Sequence, residues 1–210
     1  MSTSAAERES TRRRARGQGS YDDRRDSLAE SALRTLGELG YARTSLREIA
    51  ANSEFTHGVV HYYFRNKTEL ITYCVRYYKA QCVHRYDGVV AGSVTDRELL
   101  AAFADKLVET IADEAPMHRL WYDLRATSLF EEPLRADVLA IDATLEQMIW
   151  RVVSRYGELA GREPGVSSAT AYAMLDGVFE RALLRHLAGH DDALPALREQ
   201  VGAVLPLMLG

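Results

Sequence analysis

Apolar residues recur along this chain every three or four positions, never in strict alternation. Leu28, Ala32, Leu36 and Leu39, with Leu33 beside them, form one stripe, the signature of an amphipathic helix. The stripe predicts a helix opening near Asp22–Asp26, where acids suit the N-terminal dipole. It closes at Gly40, a residue suited to a left-handed cap. Thr44 or Ser45 opens the next helix, and Glu48 stands where a capping box needs it. Leu46, Ile49 and Ala50 are its inner face. A turn through Ser53–Phe55 leads to Thr56, which caps a third short helix with Val59, Val60 and Phe64 as apolar positions. Asn66 opens a long fourth helix from Lys67 to about Val90.

The rear half continues in the same pattern. Thr95 and Glu98 form a second capping box, opening a helix to about Glu114, and Pro116 punctuates it. Helices are expected through Trp121 to Leu129, from Pro133 to about Tyr156, from Ser167 or Ser168 to about Ala188, and over Leu194–Leu209. No run alternates in the manner of a strand. The expected fold is all-α with about nine helices: a three-helix N-terminal domain joined by a long helix to a C-terminal helical bundle. The expected divisions are residues 1–20, 21–66 and 67–210. Residues 1–20 are polar and carry four arginines between Arg12 and Arg16, so they read as a disordered basic arm suited to lie along phosphates or in a minor groove.

Composition narrows the class. Of 210 residues, 47% are apolar and 27% charged, with only five prolines, as in an ordinary helical globular protein. The net charge of −4 divides into +3 up to Lys67 and −7 beyond it. A positive front and an acidic rear suit a protein that meets a polyanion with its front only. Cys74 and Cys82 are the only cysteines. Their spacing on one helix forbids a bridge, and isolated thiols suit a reducing, cytoplasmic setting. No apolar run has membrane-spanning length, so no membrane partner is expected.

Residues 44–70 carry the most specific chemistry. A helix-turn-helix needs a bracing helix, a tight turn, and a second helix whose outer face enters the major groove. That face would present Thr56, His57, Gly58, Val59, His61 and Tyr62. Gly58 lets the backbone come close to DNA, Val59 can meet a thymine methyl, and Thr56 and His57 stand where a helix dipole favours phosphate. His61 and Tyr62 can donate to phosphate oxygens, Lys67 would add a point charge, and Arg47 can reach backbone or base. Thr44 and Ser45 complete the expected DNA-binding set.

Residues 22–70 resemble the N-terminal domain of the tetracycline-repressor (TetR) family of transcriptional regulators. The matching positions are Gly40, Thr44, Ser45, Leu46, Ile49, Ala50, Thr56, Gly58, Tyr63, Phe64, Asn66, Lys67 and Leu70. The resemblance implies a homodimeric, cytoplasmic regulator that binds a double-stranded operator, acts by default as a repressor, and is released by a small-molecule effector held in the rear bundle. Two departures stand out. Glu54 occupies a turn position where the family usually has Gly, so it must avoid positive φ or bear strain. His61 replaces a usual tyrosine, making that contact pH-dependent.

In the rear domain, Trp121, Tyr122, Phe130, Met148 and Trp150 lie near His118, Arg119 and Arg125 in helical register. Phe103, His118, Trp121, Tyr122, Arg125, Met148 and Phe179 are the candidate pocket residues. Residues 170–187 are apolar on more than one side, which suggests a core face and a partner face. Leu175, Val178, Ala182 and Leu183, with Leu197, Val201 and Leu205 of the last helix, are the expected dimer interface. The competing reading is a helical-bundle small-molecule-binding protein or enzyme without specific DNA binding. Glu54 and His57 form a lone E-x-x-H pair, and the His57/His61 and His186/His190 spacings lack the Glu a zincin needs. No Gly-rich phosphate loop or nucleophile elbow occurs. Neither catalysis, a cofactor nor a metal is expected.

Overall fold

The structure, a computed structural model, describes the backbone of residues 3–210 and the side chains of residues 21–210. The basic arm expected over residues 1–20 lies outside the residues described in full. The helices are α1 (Thr3–Arg43), α2 (Leu46–Ala51), α3 (His57–Tyr63), α4 (Lys67–Cys82), α5 (Asp87–Gly92), α6 (Asp96–Ser128), α7 (Glu132–Ala160), α8 (Ser168–Leu187) and α9 (Ala193–Val204), followed by a 3-10 turn, Leu205–Met208. Among the described residues the only β pairing is an isolated bridge between Pro164 and Leu209, so the fold is all-α.

The chain divides into two compact units, Met1–Tyr77 and Tyr78–Gly210. The division falls inside α4, whereas the sequence reading put it between residues 66 and 67. In the first unit Leu28, Ala32, Leu36, Ile49, Val60, Phe64, Leu70 and Ile71 are fully buried, so the stripe read on α1 meets the inner faces of α2, α3 and α4. Gly40 turns the chain with φ 76° and ψ 175°, a region open to Gly alone. Ser45 and Glu48 form the expected capping box, each satisfying the other's backbone N–H at 3.2 and 2.6 Å. The Thr56 hydroxyl accepts from the Val59 amide, and Asn66 Oδ1 accepts from the Glu69 amide at 2.8 Å.

One long helix differs from expectation. The fourth ends at Cys82 rather than near Val90. Residues 83–86 form a turn in which Tyr86 goes inward and its ring meets Phe103 at 5.1 Å. The carbonyl of Val83, freed by the break, accepts from Arg151 at 2.5 Å, which keeps the broken end satisfied. The break expected before Pro116 is present, as a kink within α6. Glu114 takes the distortion at φ −130° and ψ 23°, and the helix resumes because Ile111, Ala115, Leu120 and Trp121 bury one continuous stripe across the bend. In the second unit α6 packs on α7, α8 and α9, and α8 lies between α7 and α9. Phe103, Ile111, Leu124, Val152, Val201 and Leu205 form its centre.

Candidate nucleic-acid interface and effector cavity

The short helix α3 is amphipathic in one sense only. Val60 and Tyr63 turn inward and hold it to the first unit's core, while His57, Gly58, Val59, His61 and Tyr62 face solvent, with Thr56 exposed at the cap. Tyr62 is 72% exposed. Its ring stands edge-on to Tyr63 at 5.0 Å and to Tyr21 of α1 at 6.2 Å, so the phenol is held at the surface rather than free to sweep. The His57 and His61 rings meet edge to face at 4.4 Å.

A Cβ added at Gly58 would meet only the Thr56 hydroxyl, at 4.0 Å, and Gly58 has no positive φ. The fold therefore does not require glycine there. An outward-facing residue kept this small suits the close approach of something outside the chain. Among the described residues no non-glycine residue has positive φ, so Glu54 sits in its turn without the strain its position threatened.

Three members of the expected DNA-binding set are placed differently from the rest. Thr44 is 2% exposed and its hydroxyl donates to the Gly40 carbonyl at 2.7 Å, so it secures the Gly40 bend instead of presenting its side chain. Lys67 is half-buried, with Nζ 4.4 Å from the Tyr41 ring and donating to the Ala42 carbonyl at 3.3 Å. It is a tethered cation with donors to spare, not a free point charge. Ser45 spends its hydroxyl on the capping box, while Arg47 is exposed.

Arg25, which the sequence reading passed over, organises the support of α3. Its guanidinium lies 4.7 Å from the Phe64 ring and 4.3 Å from the Tyr73 ring, and it pairs with Glu69 at 2.9 Å. Glu69 also accepts from the Arg65 amide at 2.9 Å, so one carboxylate fixes the turn from α3 into α4. Tyr73 donates to Asp26 at 2.5 Å; burial first, then that carboxylate, push its phenol well above the ordinary tyrosine value.

The second unit holds a cavity with about 550 Å³ of empty space out to its mouth. Five of the expected pocket residues line it: His118, Trp121, Tyr122, Met148 and Phe179. Phe103 does not, because it is fully buried behind Tyr86. Arg125 is not in the wall either, because it pairs with Asp176, which is, and reaches Asp142 at 3.7 Å. Phe130, counted among the bulky groups of this region, is 87% exposed. Lys79, Cys82, Arg85, Thr110, Tyr172 and Asp176 were missed and do line the cavity.

Most of the polar wall is internally satisfied. Arg85 pairs with Glu114 at 2.6 Å. Burial works against the Glu114 carboxylate, but the Tyr78 hydroxyl and Arg85 outweigh it and hold its pKa below the usual range. Tyr122 donates to Asp176 at 2.9 Å, and Tyr172 to Asp142 at 2.8 Å. His118 lies 5.0 Å from the Phe179 ring; burial, then the nearby Lys79 and Arg85 charges, press its pKa well below the ordinary imidazole value, so it is neutral. Cys82 and Cys74 are both free and buried. Among the described residues no group of three or more His, Cys, Asp or Glu converges as a metal site.

Of the expected dimer residues, Leu175, Ala182, Leu183, Leu197, Val201 and Leu205 are at most 3% exposed in the single chain. They belong to the chain's own core and have little surface left to offer a partner; Val178 is half-buried. On α8 and in the C-terminal segment, Leu184, Leu187 and Leu207 lie outside, exposed at 68%, 42% and 71%. The pattern of two apolar sides was legible, but most residues named for the partner face are covered by the chain itself.

Comparisons with known proteins fit this geometry. Residues 28–74 match the profile of bacterial regulatory proteins of the tetR family. The HTH-type transcriptional regulator BetI of Burkholderia thailandensis is 27% identical over 122 residues, 56% of this chain and 60% of that protein; the match thus spans under two thirds of that relative. The regulator of the same name from Escherichia coli O127:H6 is 25% identical over 171 residues, covering 79% of this chain and 85% of that one. A putative transcriptional regulator from Saccharomonospora viridis, solved with choline, superposes with a TM-score of 0.70 at 17% identity, covering 90% of this chain and 98% of that one. At that identity the likeness speaks for the fold.

Proposed function

We propose that the chain, whose residues 28–74 match the profile of the tetR family, is a TetR-family homodimeric transcriptional repressor that leaves its operator when a small molecule fills the second unit's cavity. The observation that carries the reading is the outer face of α3. Thr56, His57, Gly58, Val59, His61 and Tyr62 all stand exposed while Val60 and Tyr63 anchor the helix, and the smallness of Gly58 answers no need of the fold itself. This face would lie in a major groove, with Gly58 and Val59 against base edges and Tyr62 and Arg47 against phosphates. Lys67 keeps donors for a phosphate beside its Ala42 tether.

Two copies are needed to read two half-sites. The exposed Leu184, Leu187 and Leu207 supply apolar surface for pairing through α8 and the C-terminal segment. An effector can favour release only by binding the DNA-incompetent arrangement more tightly. Helix α4 runs through the boundary between the units and is the element through which cavity occupancy would reach α3. Among the described residues no helix is long and apolar enough to cross a membrane, and the cytoplasm is the setting this function needs. That a relative in fold holds choline supports a ligand-binding role for the bundle without choosing this chain's ligand.

The test is fluorescence anisotropy with duplex DNA from immediately upstream of the chain's own gene. The proposal expects binding that is sequence-specific, weakens steeply with salt and is lost in His57→Ala/Tyr62→Ala. Absent or sequence-blind binding favours a helical-bundle binding protein or enzyme instead.

A further inference from the structure

The cavity's charges are paired with one exception. Arg85 is taken by Glu114, and Asp176 by Arg125 and the Tyr122 hydroxyl. Lys79 is 3% exposed and forms no ion pair among the described residues; its ammonium meets only aromatic faces, 5.4 Å from the Trp121 ring and 5.6 Å from the Tyr78 ring. Trp121 is 1% exposed, and its indole N–H is buried without an acceptor. A buried donor without an acceptor and an ammonium without a counter-charge therefore neighbour each other in the wall of the same cavity. Leaving such groups unmet inside a protein is costly, and an acceptor anion would satisfy both.

We infer that the cavity binds an amphipathic carboxylate, its acid group between Lys79 and Trp121 and its hydrocarbon or aryl body against Leu107, Leu145, Met148 and Phe179. This rests on the reading of the cavity as the effector site, not on the reading of α3. The lining, mostly apolar with a few polar groups, suits a small organic acid. A cationic ligand is disfavoured because it would meet the Lys79 and Arg85 charges, while the one carboxylate in the wall, Asp176, already has its partners.

The pairing makes binding pH-dependent. The groups facing Lys79 are Tyr78, Cys82 and Arg85 along its own segment, Glu114 and His118 from α6, and Asp176 from α8. Burial is the dominant influence and brings the Lys79 pKa down from 10.5 to about 8. The acid meets an ammonium below that pH and a neutral amine above it, so affinity falls by up to tenfold per pH unit above about 8.

Isothermal calorimetry on the full chain tests this with octanoate and 4-phenylbutyrate, their primary amides, and trimethylammonium compounds of matching length. The acids are expected to bind, and the amides and ammonium compounds to bind far more weakly. Lys79→Met should weaken acid binding roughly 10- to 100-fold. Trp121→Phe, which keeps an aromatic ring but loses the N–H together with the pyrrole ring, should weaken it several-fold. Thermal melts confirm that each variant is folded. Ammonium compounds that bind as well as the acids, acids that do not bind at all, or acid affinity unchanged in Lys79→Met would each overturn the inference. Operator binding by the ligand-free wild-type chain is measured alongside; its absence refutes the repressor reading while the calorimetry still decides the ligand class.

Discussion

Replacing Lys79 by Met should make this protein more stable, and by a calculable amount. The side chain is 3% exposed, and burial lowers its pKa from 10.5 to about 8. Keeping a proton that the unfolded chain binds more tightly costs about 1.4 kcal/mol for each factor of ten between the two, so roughly 3 kcal/mol at pH 7. The sign follows from proton counting. Between about pH 8 and 10.5 the unfolded chain holds the proton and the folded chain has released it, so unfolding takes up a proton and stability rises with pH. Below about pH 8 both states are protonated and the full cost is present. Met is of similar length and carries no charge, so Lys79→Met should remove the cost, raising Tm by about 6–12 °C at pH 7. The difference between variant and wild type should then shrink as pH climbs from 8 toward 10.5. Thermal melts followed by circular dichroism across that range give both quantities. A variant no more stable than wild type at pH 7, or a difference independent of pH, would refute the argument that Lys79 is a charge held inside at a cost. If the gain appears and acid binding is lost in the same variant, the lysine is kept for its ligand and not for the fold.

Gly58→Leu should leave Tm unchanged, since a Cβ there meets only one atom at 4.0 Å, and should abolish operator binding in a gel shift; retained binding would remove Gly58 from the interface. Ser45→Ala removes the hydroxyl that caps α2 and should cost about 1 kcal/mol in urea denaturation, with Glu48→Gln costing less because its amide oxygen can still accept from the Ser45 amide. Leu184→Glu places a charge on a residue 68% exposed in the single chain. It should leave the fold intact and yield monomers in sedimentation velocity, whereas an unchanged dimer would move the pairing surface elsewhere.

The parts of the fold that local chemistry determines were readable from the chain. The capping box at Ser45 sets a helix start because residues three apart close it; at Thr95 the hydroxyl caps Glu98 as expected, but the Glu98 carboxylate accepts from the Val94 amide instead of closing the box. At α3, Val60 and Phe64 were rightly read as apolar inward positions, while Val59, counted with them, is exposed. What tertiary packing determines was not readable. The end of α4 at Cys82 depends on Tyr86 turning toward Phe103 and on Arg151, distant in sequence, receiving the Val83 carbonyl. Pro116 did mark the kink in α6, but the burial that lines up the two segments across it is invisible locally. Residues of α8 that the chain itself covers were named for a partner face because periodicity reveals that two apolar faces exist but not which one turns inward. Lys79 did leave a trace: it stands on the stripe of Ile71, Val75 and Cys82, all buried, and a lysine on an inward stripe is a functional signal that helical spacing alone could have raised.

The claim on which the account turns is that α3 reads base edges from the major groove. Dimethyl sulfate footprinting of the upstream duplex measures it, because the reagent attacks guanine N7 in the major groove and adenine N3 in the minor groove. The account predicts guanine N7 protection in two patches about one helical turn apart, lost together in His57→Ala/Tyr62→Ala. Protection confined to adenine N3, or none at a protein concentration that saturates the duplex, would contradict it.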